Sequence, residues 1–186
     1  MGDEAVRLTS DLFWRATLVT GLIDLPLLAL VARGVPPRLF ASLKWPLATA
    51  AFLVYAGLWL AFGSVLYWDA VYRHVFPGWS RWLLPPWMGT LFGAAALLFW
   101  RLSVNAPRWP AVRFALLGGL VSLVGHGIGI RRGLMRVPLL AHASPASALA
   151  FGVTEFIVYW CAIVALAGAG HGLAVTARRR ETARRG

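Results

Sequence analysis

Five apolar segments, each close to the length that crosses a bilayer, constrain this chain more than any other feature. They cover residues 16–32, 45–67, 87–102, 112–130 and 147–171. About 20 helical residues span the ~30 Å hydrocarbon layer. Inside lipid every backbone amide must find a partner within the protein, which leaves the α-helix as the form such a segment takes. Arginines or prolines bound each segment. Turn-rich pieces separate them: Gly34-Val35-Pro36-Pro37, Pro77-Gly78, Pro85-Pro86, Asn105-Ala106-Pro107 and Ser144-Pro145. The expected fold is an all-α integral membrane protein, a bundle of about five transmembrane helices forming one polytopic domain over residues 1–186. Residues 172–186 form a polybasic cytoplasmic tail.

The alternative, a soluble domain, conflicts with the composition. Hydrophobic residues make up 59% of the 186 residues and charged ones 13%. One core of this size cannot hide that much apolar surface, and the remainder would cost about 25 cal/mol per Å² in water. The net charge of +11 does not point to nucleic acid. A nucleic-acid binder gathers its cations on one face, whereas these lie between the apolar segments and at the C-terminus. Cys161 is the sole cysteine, so no intramolecular disulfide or CxxC metal site exists, and a thiol in an apolar stretch is expected to serve as a small packing group. Arginine replaces lysine everywhere but Lys44, a bias that with the abundant Ala, Leu and Gly is typical of GC-rich bacterial genomes. The bacterial plasma membrane is therefore the expected location.

Orientation follows from the arginines. With the C-terminus in the cytoplasm, the inner side holds Arg33, Arg38, Lys44, Arg101, Arg108, Arg113, Arg178, Arg179, Arg180, Arg184 and Arg185. The outer side holds Arg7, Arg15, Arg73, Arg81, Arg131, Arg132 and Arg136, partly offset by Asp3, Glu4, Asp11 and Asp69. This predicts N-terminus out and C-terminus in, although Arg131, Arg132 and Arg136 run against the rule. The first segment lacks a basic leading region and an A-x-A site, so it is expected to remain as an uncleaved span.

Between the second and third segments lie Tyr67, Trp68, Tyr72, Phe76, Trp79, Trp82 and Trp87. Amphipathic rings settle at the headgroup level, so a short aromatic interfacial segment is expected here, or else a lid over an apolar ligand. Small residues mark the faces where helices meet, because lipid gives no hydrophobic reason for association. Gly89 and Gly93, then Gly118, Ser122, Gly125 and Gly129, then Ala148, Gly152, Ala162 and Ala169 form such stripes.

Ionisable groups inside a membrane are costly, so each calls for an explanation. Glu155 shares a face of the fifth segment with Ala148, Gly152, Tyr159 and Ala162. His126 continues the Gly118, Ser122 stripe of the fourth. At ~1.5 Å per residue both lie roughly 6–12 Å below the outer surface. Asp69 and His74 belong to the aromatic loop on that same side. Asp69, His74, His126 and Glu155 are thus the candidate metal set, suited by chemistry to Zn, Mn or non-haem Fe. His126 and Glu155 are equally candidates for acid–base or proton-relay work, or for a purely structural hydrogen bond between helices. Asp24, near the middle of the first span and followed by Pro26, is a candidate ion-coupling carboxylate or a polar contact within the bundle. No cofactor is implied: His126 and His171 lie at opposite ends of their spans, leaving only His74 with His126 as a geometric pair for haem. The sequence lacks GxSxG, HExxH, P-loop, GxGxxG and kinase motifs.

Three functional expectations remain. The first is a non-catalytic subunit of a membrane complex, or a binder of a small apolar ligand or lipid, held to a protein partner or a second copy through its small-residue faces. The second is a membrane-embedded enzyme with its His/carboxylate site at the outer leaflet. The third is a small transporter or channel using Asp24 and Glu155, disfavoured by the lack of paired repeats.

Overall fold

The computed structural model describes residues 3–34, 37–62, 68–69, 80–105, 108–133, 135–137 and 140–185. These form helices α1 (Asp3–Ala32), α2 (Arg38–Phe62), α3 (Ser80–Ser103), α4 (Pro110–Arg131) and α5 (Pro145–Arg185). Two short strands join them, β1 (Trp68–Asp69) after α2 and β2 (Met135–Arg136) after α4. The helical fold is as expected. Arg38–Leu58, Pro110–Arg131 and Pro145–Thr176 are long and apolar enough to cross a membrane, while Thr20–Ala32 and Gly89–Ser103 are shorter apolar stretches.

Local chemistry explains where these helices stop and start. Gly34 (φ 70°) and Gly133 (φ 69°) adopt the left-handed conformation that ends α1 and α4, a geometry glycine enters without a Cβ clash. Pro110 and Pro145 occupy first helical positions, where a missing N–H costs nothing. Ser144 caps α5, its Oγ accepting the Ser147 N–H at 3.2 Å.

One boundary differs from the sequence reading. Pro85 and Pro86 lie inside α3 rather than in a turn before it. Proline's fixed φ is helical, so both prolines fit within the second turn, each removing one i→i−4 backbone bond there. The helix α5 runs on through the basic tail to Arg185, over 41 residues. Ala, Arg and Glu favour helix, and Gly168, Gly170 and Gly172 cost only about 1 kcal/mol each against alanine.

The helices pack α1 on α3, α2 on α3, α2 on α5, α3 on α4 and α4 on α5. The core comes from α2 to α5, with Phe40, Leu47, Trp100, Phe114, Trp160 and Ile163 all buried. Among the described residues α1 adds no fully buried apolar side chain, which places it at the periphery. Gly89 and Gly118 sit where a Cβ would collide with the rings of Phe52 and Trp160 respectively. The outward faces are apolar: Leu22, Leu25, Leu116, Leu120, Ile128, Val158 and Leu173 are all exposed.

Each end of the bundle is tied across its connections. At one end β1 pairs antiparallel with β2, Trp68 opposite Arg136 and Asp69 opposite Met135. At the other, Arg101 Nη2 of α3 donates to the Arg33 carbonyl at the end of α1, at 2.9 Å. The same guanidinium lies 5.7 Å from the Phe40 ring centroid of α2. A cation on a helix's last carbonyls complements its dipole, so Arg101 fastens three helices at one point.

Candidate functional site

The seam between α4 and α5 holds the best-defined polar arrangement. Gly118 removes the side chain that would block Trp160, letting the indole enter the seam, where it is 1% exposed. Phe99 and Phe114 meet it edge-on at 5.2 and 5.4 Å. One helical turn beyond Gly118, Ser122 Oγ accepts the Trp160 indole N–H at 3.0 Å. One turn further, His126 Nδ1 lies 2.8 Å from the Ser122 carbonyl oxygen. A carbonyl only accepts, so Nδ1 carries the proton of this contact.

His126 is half-buried and packs against Phe156 of α5, ring centroids 4.5 Å apart. Glu155 precedes Phe156 and is also half-buried. It shares its face of α5 with Tyr159, one turn on. Tyr159 in turn meets Phe92 of α3 edge-on at 5.6 Å, and Phe92 stacks on Tyr55 of α2 at 4.5 Å. The α5 surface at this level therefore turns Phe156 toward α4 and Tyr159 toward α3. Such an arrangement fixes the orientation of the imidazole through Nδ1 and the Phe156 ring.

The remaining candidates are distributed more widely. Asp69 lies in β1, and its pairing with β2 brings that segment to the end of α4 that carries His126. His74 lies outside the described residues, as do Tyr67, Tyr72, Phe76 and Trp79 of the aromatic loop. Among the described residues no group of three or more His, Cys, Asp or Glu side chains is placed to hold a metal ion. Asp24 is half-buried, and its carboxylate accepts a hydrogen bond from the Thr90 side chain of α3. This contact joins the peripheral helix to the bundle. Asp24 Oδ1, Trp100 Nε1 and Tyr159 Oη are buried without a hydrogen-bond partner among the described residues.

Cys161 is exposed rather than packed, because it follows the buried Trp160 by 100° around α5. Two contacts had no sequence signal: Thr90 as the partner of Asp24, and Arg101 reaching back to Arg33. Neither is a local spacing, and both depend on how α1 docks on α3. Comparison with protein-family models, with curated proteins and with solved structures finds no match to this chain.

Proposed function

We propose that the chain is an integral membrane protein of five spans, N-terminus outside and C-terminus in the cytoplasm. In this reading it is a non-catalytic component of a membrane assembly that docks against a transmembrane helix of another chain. The apolar outward faces and the long apolar helices support the membrane setting. One observation carries the docking role. A Cβ placed on Gly168, Gly170 or Gly172 of α5 would meet nothing within 4 Å. Glycine inside a helix costs about 0.5–1 kcal/mol against alanine. At Gly89 and Gly118 that cost is offset by an aromatic ring seated on the backbone. On the outer surface of α5 the described residues supply no such return. A neighbouring helix approaching closely would, since small residues are what permit backbone contact in lipid.

The test is co-purification from the native membrane in mild detergent, comparing wild type with Gly168→Leu/Gly172→Leu. The expected result is a stoichiometric partner or second copy with wild type, reduced at least about tenfold in the variant. Because none of the described residues packs there, the variant is expected to keep the thermal stability of the isolated protein. A wild-type monomer without any other chain overturns the proposal.

A further inference from the structure

At the end of the bundle where α1 and α3 finish and α2 and α4 begin, residues 33–44 and 101–113 contain six basic side chains and no acid. Arg33, Arg38, Arg108 and Arg113 are exposed there. The two connections are held together rather than merely adjacent. Arg101 of α3 donates to the Arg33 carbonyl, and Trp100 packs edge-on against Phe114 in the first turns of α4, ring centroids 6.0 Å apart. The first turns of α2 and α4 hold no acidic residue, so their free N–H groups add to the positive potential of this surface.

Aromatic and aliphatic side chains lie among these cations. Trp45 is 67% exposed and Trp109 is 73% exposed, and Lys44 Nζ lies 5.4 Å from the Trp45 ring centroid. Leu39, Leu102 and Val112, each next to a basic residue in the chain, are exposed as well. A soluble anion would neutralise the arginines but leave these apolar groups in water. A phospholipid satisfies both, with its phosphate on the guanidinium groups, its acyl chains on the leucines and the indoles at the boundary.

We propose that this end of the bundle binds anionic phospholipid headgroups, seated between the α1–α2 connection (Arg33, Arg38) and the α3–α4 connection (Arg108, Arg113). The proposal rests on the membrane reading above but not on the docking role of α5. Arg101 is not among the binding groups, because it is committed to the Arg33 carbonyl. Substituting the Arg33 side chain leaves that bond in place.

The test follows thermal unfolding of detergent-solubilised full-length protein titrated with phosphatidylglycerol or phosphatidylcholine. Phosphatidylglycerol is expected to raise the midpoint and phosphatidylcholine to leave it unchanged. In Arg33→Gln/Arg38→Gln/Arg108→Gln/Arg113→Gln the phosphatidylglycerol response disappears, each lost cation weakening apparent affinity about fivefold. Replacing the same four arginines by lysine retains the response. Should the fourfold glutamine variant not fold, Arg38→Gln and Arg108→Gln singly are each expected to show the fivefold loss. A response abolished instead by Arg178→Gln/Arg179→Gln/Arg180→Gln would assign the effect to the C-terminal helix and overturn the proposal. So would equal responses to the two lipids, or an equal response to inorganic phosphate alone. A chain that stays soluble and monomeric without detergent would defeat the membrane reading itself, a result distinct from any of these.

Discussion

Ser122 links two side chains through different atoms. Its hydroxyl accepts the Trp160 indole, and its backbone carbonyl accepts His126. Spacing alone places Gly118, Ser122 and His126 on one stripe of α4, but it does not say what fills the stripe. Trp160, 38 residues from Ser122, fills it, and a contact so distant leaves no periodic trace. The two kinds of contribution at this seam can be separated. Ser122→Ala strands one indole N–H in apolar surroundings and is expected to cost about 1 kcal/mol, near the value for hydrogen bonds between membrane helices. Gly118→Leu forces the ring itself to move and is expected to cost about 3 kcal/mol, the upper range for overpacking a core. Equilibrium unfolding in mixed micelles measures both. A serine variant as damaging as the leucine variant would make the hydrogen bond, rather than ring packing, the chief support of the seam.

Among the described residues, two ties of α1 to the bundle are defined in detail. This helix meets α3 through the Asp24–Thr90 hydrogen bond and through the Arg101 guanidinium on its final carbonyls. Arg101→Met removes the second tie while preserving much of the side-chain volume. Amides in the C-terminal half of α1 are then expected to exchange about tenfold faster, equivalent to about 1.4 kcal/mol, with α4 and α5 unchanged. Uniform acceleration over all five helices would show that Arg101 instead supports the whole bundle. The same helices show what could be read from sequence. Hydropathy located the middle of each helix, because the outward-facing positions carry many apolar residues. It missed the start of α3, because the prolines read as breakers lie within the helix, whereas the tail's arginines end hydropathy but not helicity. The candidate site was legible only as far as helical periodicity reaches: the stripe carrying His126 could be read, but the Phe156 ring against it could not.

For the molecule as a whole, the proposed five spans would place the termini on opposite sides, and the charge asymmetry is the basis for proposing which side is which. The connections divide consistently. Those after α1 and α3 meet at the Arg101 end, and those after α2 and α4 meet through the β1–β2 pairing at the other. The β2 end carries Arg131, Arg132 and Arg136, so the positive-inside rule is weakened on the very side assigned to the outside. Labelling resolves the conflict. With Cys161→Ser as background, Ala143→Cys and Asn105→Cys each introduce a thiol at an exposed position at opposite ends of the bundle. A charged, membrane-impermeant maleimide added to intact cells is expected to modify Ala143→Cys at once and Asn105→Cys only after permeabilisation. An N-terminal epitope is expected to be accessible from outside, which requires α1 to cross. The opposite labelling pattern would invert the topology and move the basic Arg33–Arg113 end away from the cytoplasmic leaflet. Correct labelling with an inaccessible epitope would leave α4 and α5 in place but remove α1 as a span. In that case the Asp24–Thr90 contact would lie at the membrane surface instead of within it.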